Sequence, residues 1–392
     1  MSHSVTRTAV LLLVALLLIT ATASTAAAKR RPVSPIEQLG AAIAFDANLS
    51  EPAGQSCAAC HNPLAGYGDL DRRFPVSEGV IGGMFGGRNA PTWAYTAWSP
   101  VMYFDADEEL WIGGMFWDGR ATGWTLGSPL AEQAQGPFLN PVEMHNESPA
   151  DVIRDISTSS YAGLFMQLFP HTVWTTQAGI DRAYDDMAFA IAAYEASRAV
   201  NTFSSRFDAF TVGNTAALTA EEKWGLELFD GKAKCGLCHL SEPGMDSTGI
   251  ATGRALFTDY TYDNLGIPAN PEVWALTGSD ATDWGLGGFL KATGYEDDVW
   301  MAEIGKFKVP TLRNVAKNAP YGHNGYFRTL YDIVHFYNTR DVPGAGWAPP
   351  EVPDTMNTEE LGDLGLTYDE ELAVVAFMKT LTDRAIMPQP AH

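Results

Sequence analysis

All four cysteines of this chain fall in two short matching stretches, Cys57-Ala58-Ala59-Cys60-His61 and Cys235-Gly236-Leu237-Cys238-His239. In one helical turn, positions i and i+3 share a face and i+4 lies beside them, so two sulfurs and an imidazole converge on one object. That is the arrangement of c-type haem attachment, in which both sulfurs take the vinyl groups and the histidine ligates iron. A four-cysteine zinc site or a redox dithiol needs only the cysteines. Neither explains a histidine after each pair, and the two pairs lie far beyond zinc-ribbon spacing. The chain is therefore expected to carry two covalently bound haem c groups on Cys57, Cys60, His61 and Cys235, Cys238, His239.

The N-terminus carries Arg7, an apolar run from Ala9 to Ile19, and small residues ending in Ala26-Ala27-Ala28. This reads as a secretory signal peptide, residues 1–28, cut near Ala28, with the mature protein in the periplasm. The alternative is an uncleaved anchor extended through Thr20 to Ala28. Lys29, Arg30 and Arg31 on its outer side count against that under the positive-inside rule. No stable membrane insertion is expected after cleavage. With every thiol committed to haem, no disulfide is expected. A net charge of −22 repels nucleic acid and anionic lipid, and it favours a basic or dipolar protein partner.

Two capping boxes mark helix starts. Ser34-Pro35-Ile36-Glu37 opens a helix through about Phe45, and Thr219-Ala220-Glu221-Glu222 opens one to Phe229. Each contains a glycine (Gly40, Gly225), ends in Phe-Asp, and precedes a Cys-x-x-Cys-His stretch. This weak internal repeat implies two cytochrome c-like units in a mainly α fold, residues 29–213 and 214–392, with a boundary near Gly213-Asn214. Arg182 to Val200 reads as a long amphipathic helix with Met187, Ile191 and Tyr194 on one stripe and Asp185, Glu195 and Arg198 largely elsewhere. Thr367-Tyr368-Asp369-Glu370 caps a last helix carrying Leu372, Val375, Ala376 and Leu381. The Gly-, Pro- and Trp-rich stretches Asp69 to Gly136 and Asp246 to Val299 are expected to be long ordered loops over haem.

Beyond these features, the chain resembles bacterial dihaem cytochrome c peroxidases and MauG-like enzymes over nearly all its mature length. The resemblance is carried in order by Leu39-Gly40-Ala41-Ala42-Ile43-Ala44-Phe45-Asp46, Arg88-Asn89-Ala90-Pro91-Thr92, Phe116-Trp117-Asp118-Gly119-Arg120-Ala121, Gly136-Pro137-Phe138-Leu139-Asn140-Pro141-Val142-Glu143-Met144, Val309-Pro310-Thr311-Leu312-Arg313-Asn314 and Ala319-Pro320-Tyr321-Gly322-His323-Asn324-Gly325.

Peroxide cleavage at haem needs an open iron site and a group that moves a proton between the oxygens, help worth about 10²–10⁴ in rate. The resemblance assigns that role to Glu143, which would otherwise read as a surface acid, with Gln133 as a hydrogen-bonding partner in the pocket. It places Trp117 between the two haems, where an oxidisable indole can pass electrons across a gap too wide for one step. Among eleven tryptophans, the bland reading of Trp117 is core packing. The stretch from Trp117 to Gln133 is longer than the family's usual spacing, the extra residues lying near Gly123 to Pro129.

Axial ligands separate the branches of the family. Many members carry a distal histidine just ahead of the Arg-Asn-Ala-Pro-Thr motif. Here the corresponding stretch, Val80 to Gly87, has none, so haem one is expected to have His61 and an open or water-occupied sixth position. His145 is a fallback ligand, with a satisfied polar histidine the simpler reading. At haem two the resemblance puts the sixth ligand at Tyr337, as in MauG-like enzymes, with Met356 and His335 as competitors. A phenolate lowers the iron potential, whereas a methionine raises it. The resemblance also implies a calcium ion held by the Asn89 side chain and the carbonyls of Asn318 and Pro320, oxygen ligands of the kind calcium takes. His323 is expected to be structural or to bond a propionate, and His171 has no assigned role.

The resulting expectation is an exported dihaem oxidoreductase whose substrates are hydrogen peroxide and a protein. In the MauG-like form, the oxidising equivalents go to a Trp or Tyr side chain of a partner protein. In the peroxidase form, they are met by a small cytochrome or copper protein. A plain dihaem electron-transfer cytochrome, with two six-coordinate irons and no pocket acid, is the alternative from a different class.

Overall fold

A computed structural model describes residues 33–245 and 251–384. The expected signal peptide lies outside the described residues. Thirteen α-helices are described: α1 Pro35–Ala44, α2 Cys57–Cys60, α3 Pro129–Leu139, α4 Pro149–Thr158, α5 Ala162–Leu168, α6 Gln177–Glu195, α7 Arg206–Thr211, α8 Ala220–Asp230, α9 Pro271–Thr277, α10 Gly285–Ala292, α11 Asp297–Met301, α12 Leu330–Thr339 and α13 Tyr368–Lys379. Three two-stranded antiparallel ribbons accompany them: β1 Tyr103–Asp105 with β2 Leu110–Ile112, β3 Pro243–Met245 with β4 Ala251–Ala255, and β5 Tyr262–Asp263 with β6 Phe307–Lys308. The chain is mainly helical, as the sequence implies. Among the described residues, no helix is long and apolar enough to cross a membrane.

The weak repeat becomes a repeated helix crossing. Both capping boxes form, Ser34 with Glu37 and Thr219 with Glu222. Helix α1 then crosses α6 at Gly40, where an added Cβ would lie 1.8 Å from the Ala190 carbonyl oxygen and 2.9 Å from the Tyr194 Cβ. Helix α8 crosses α13 at Gly225 in the same way, 1.9 Å from the Ala373 oxygen and 2.9 Å from the Phe377 Cβ. Only glycine permits backbones this close.

Each crossing sits on its own apolar core. The first includes Leu39, Ile43, Phe138, Ile153, Met187 and Ile191. The second is strongly aromatic, with Phe207, Phe229, Phe257 and Phe377 in mutual edge contacts. Phe207 is on α7, ahead of the expected boundary at Gly213-Asn214. A third cluster, with Phe45, Trp93, Tyr95, Tyr194, Leu256 and Tyr260, joins residues from both parts of the chain. Arg313 of the Val-Pro-Thr-Leu-Arg-Asn motif is fully buried, donating to the Ala255 carbonyl and to Asp208 at 2.8 Å.

Three expectations are corrected. Helix α6 begins at Gln177 because Thr176 caps it, accepting from the Gly179 N–H. It ends at Glu195 because the Asn201 amide takes the Glu195 and Ser197 carbonyls. Glu195, assigned to the polar side, is only 2 % exposed. The expected loops also contain α9 and α10 and the β1–β2 ribbon, α9 being started by Asn270 and Pro271.

Candidate haem sites

The first Cys-x-x-Cys-His stretch is the single turn α2, and the second is a 3-10 turn at Cys235–Leu237 entered from Lys234 in the left-handed region, φ 55°. In each, the histidine N–H closes back on the first cysteine's carbonyl. His61 Nδ1 lies 3.2 Å from the Tyr67 carbonyl oxygen and His239 Nδ1 2.9 Å from that of Phe257. A carbonyl only accepts, so each Nδ1 carries the proton and each Nε2 keeps a free lone pair, as an iron ligand requires. Burial lowers the proton affinity of both imidazoles. Burial also pushes the Cys57, Cys60 and Cys235 thiols up to about 12. Thiols so protonated are poor redox nucleophiles, and both donor sets fit haem c.

Around the second stretch is a cavity lined by Cys235, Cys238, His239 and apolar residues that include Leu265, Val309 and Leu312. Leu330, Ile333, Val334 and Tyr337 border it from α12, one stripe at helical spacing. The two competing ligands lie elsewhere. Met356 packs against Gly266, and His335 bonds Glu371 at 2.8 Å while stacking on Tyr331.

At the first stretch, Glu143 accepts from Asn140 Nδ2 at 2.9 Å. Burial raises its proton affinity above the usual carboxylate range, with Arg120 and Asn140 opposing. It is near enough to Cys57 and Cys60 to raise both thiols electrostatically. The Val80 N–H donates to the Glu143 carbonyl at 2.9 Å. A Cβ on Gly79 would lie 2.4 Å from the Val142 oxygen, so glycine lets this histidine-free segment press against the motif. His145 Nδ1 bonds the Glu51 carbonyl at 3.1 Å, the satisfied-histidine reading.

Gln133 is half-buried on α3. The extra residues before it are folded by Glu132, whose carboxylate accepts from the N–H groups of Gly123, Thr125 and Leu126 at 2.6, 2.7 and 2.8 Å.

Trp117 borders both the His239 cavity and a smaller one with Tyr95, Tyr260 and Thr311. Its indole N–H donates to the Asn89 carbonyl at 2.8 Å, and the left-handed Phe116 before it, φ 64°, turns the chain there. Asn89, Asn318 and Pro320 all border the His239 cavity. The buried Asn318 Oδ1 has no hydrogen-bond partner among the described residues, and Asn89 Nδ2 is taken by the Pro75 carbonyl at 3.0 Å. The unpartnered Asn318 side-chain oxygen is a ligand of the kind calcium takes, though the expected ligand there is the backbone carbonyl. His323 stacks on Phe307 with centroids 3.6 Å apart and borders the same cavity. His171 pairs with Asp186 at the surface.

Sequence reading missed three residues. Lys308 borders both cavities, and burial pushes its ammonium down to about 7 against the pull of Asp259. Its place directly before Val309-Pro310 was the available signal. Glu132 offered none beyond adjacency to Gln133, and Trp93 none beyond following the Arg-Asn-Ala-Pro-Thr motif.

Two Cys-x-x-Cys-His turns, each with its histidine Nδ1 bonded to a backbone carbonyl, define a dihaem c-type protein. Residues 34–216 match the family described as di-haem cytochrome c peroxidase. The chain is 36% identical to methylamine utilization protein MauG of Paracoccus denitrificans, covering 96% of each. It is 33% identical to cytochrome c551 peroxidase of Pseudomonas aeruginosa, over 81% of this chain and 76% of that protein. Its fold matches the diheme peroxidase BthA of Burkholderia thailandensis with a TM-score of 0.78 at 33% identity, over 90% and 87% of the two chains. The chain belongs to the di-haem cytochrome c peroxidase and MauG family, and is a dihaem oxidoreductase.

Proposed function

We propose that this is a MauG-like enzyme of the periplasm, released from its signal peptide near Ala28, that reacts with hydrogen peroxide at the His61 haem and spends the oxidising equivalents on a Trp or Tyr side chain of a partner protein. Bound haem supplies the iron that takes up peroxide oxygen and exchanges electrons. The chain supplies the rest. His61 Nε2 and His239 Nε2 hold the two irons, each ring fixed through its Nδ1–H bond to a backbone carbonyl. The Glu143 carboxylate accepts a proton from the near peroxide oxygen and returns it to the far one, with Gln133 donating a hydrogen bond to hold the molecule. Trp117 relays electrons, its ring held by the Asn89 carbonyl. Tyr337 would offer its phenol oxygen to the iron of the second haem, and Asn89, Asn318 and Pro320 would hold calcium. Residues 29–213 and 214–392 act as the peroxidatic and electron-transfer domains.

The reading is supported above all by Tyr337, which shares one cavity with Cys235, Cys238 and His239 while Met356 and His335 do not. A second reading, peroxide removal with electrons from a small donor protein, draws on the similarity to cytochrome c551 peroxidase. The test mixes ferric holoprotein with peroxide and candidate partner proteins, then maps the partners by mass spectrometry. A covalently modified Trp or Tyr is expected. Peroxide consumption with every partner merely oxidised at its own metal would favour the second reading.

A further inference from the structure

Trp117 is not the only tryptophan built against a haem site. Trp93 is 4% exposed and stacks on the imidazole of His61, with ring centroids 5.2 Å apart and planes 18° apart. One backbone oxygen sets this geometry. The Tyr67 carbonyl accepts from His61 Nδ1 at 3.2 Å and from the Trp93 backbone N–H at 3.3 Å. Two further oxidisable rings close around the indole, Tyr67 at 5.6 Å and Tyr194 edge-on at 6.1 Å. The Tyr67 hydroxyl donates to the Ala199 carbonyl at 3.4 Å.

The indole N–H of Trp93 is buried without a hydrogen-bond partner among the described residues. Leaving such a donor unsatisfied costs about 1–3 kcal/mol. What the indole brings to this site is electronic. Its π system is in contact with an iron ligand, and it is more readily oxidised than any aliphatic or phenyl side chain.

We infer that Trp93 is a second electron donor to the haem-one site, on the His61 side, acting when no partner protein is present to take the oxidising equivalents. This rests on peroxide reacting at that site. In the step, one electron leaves the Trp93 π system and cancels one of the two equivalents that peroxide delivers there. No bond to Trp93 forms or breaks. Its proton stays, because the N–H has no acceptor among the described residues, and the product is the indole radical cation. Trp117 differs, since its N–H is already committed to the Asn89 carbonyl. Tyr67 and Tyr194 are placed to return the electron to Trp93.

The experiment mixes ferric holoprotein with peroxide without a partner and traps it for electron paramagnetic resonance, using wild type, Trp93→Phe and Trp117→Phe, each with ordinary and indole-deuterated tryptophan. The expected result is a deuterium-sensitive radical component that survives Trp117→Phe and is lost in Trp93→Phe, while both haems stay attached and the haem spectrum still responds to peroxide. An unchanged radical in a peroxide-responsive Trp93→Phe protein overturns the inference alone. A wild-type haem spectrum indifferent to peroxide removes the functional reading as well. If Trp93→Phe does not retain haem, wild type and Trp117→Phe with indole-deuterated tryptophan decide: a deuterium-sensitive radical that survives Trp117→Phe supports the role, and a radical insensitive to indole deuteration overturns it.

Discussion

Glu195 is 2 % exposed at the end of α6, its Oε2 has no partner among the described residues, and burial raises its carboxyl from 4.5 to about 8. A carboxyl raised on folding imposes no penalty below its unfolded value. The penalty grows as pH climbs towards the folded value and levels off above it. With these values it is about 1 kcal/mol at pH 5 and about 3 kcal/mol at pH 7. Glu195→Gln removes the charge and keeps the shape. The variant is therefore expected to gain about 2 kcal/mol on wild type between pH 5 and pH 7, because wild type loses that much. Urea unfolding of both holoproteins, followed by helical circular dichroism at several pH values, reads the difference directly. A gap between the curves that stays constant from pH 5 to pH 8 would refute the reasoning, because an already paired or solvated carboxylate gives that result.

Other changes probe the sites. Glu143→Gln should lower peroxide turnover by about 10²–10⁴ with both haems retained, and the acid limb of wild-type turnover should lie above the ordinary value of 4.5 because burial raises this carboxyl. Steady-state rates across pH check both. Gly40→Ala and Gly225→Ala each force a Cβ onto a carbonyl oxygen, at 1.8 and 1.9 Å, and should each cost about 1–3 kcal/mol, measured as a lowered unfolding midpoint. Tyr337→Met should raise the potential of haem two, seen in a spectroelectrochemical titration as reduction of that haem at higher potential.

Local signals carried much of this in the sequence. Both capping boxes formed because Ser34 and Thr219 need only the residue three positions on. The paired glycines Gly40 and Gly225 were visible as a repeat, but their partners Ala190 and Ala373 were not, since a helix crossing depends on residues far along the chain. Glu195 misled because helical periodicity assigns a charged residue outward, whereas the end of α6 is buried among aromatic side chains. Glu132 was silent for the same reason, being defined by a turn that folds back onto it, and Lys308 showed only its place before Val309-Pro310, its role being set by two cavities meeting at β6. Trp93 sits one residue beyond the Arg-Asn-Ala-Pro-Thr motif, and only the shared Tyr67 carbonyl reveals its relation to His61.

In the proposed function two similar attachment turns divide the labour, with peroxide met at the His61 haem beside Glu143 and the second haem held between His239 and Tyr337. Electron paramagnetic resonance of the fully ferric holoprotein, before and after one equivalent of peroxide, tests it most directly. The expected result is one high-spin and one low-spin ferric signal, both lost together on mixing without any prior reduction. Two low-spin signals, or a protein that ignores peroxide until one haem is reduced, would contradict it.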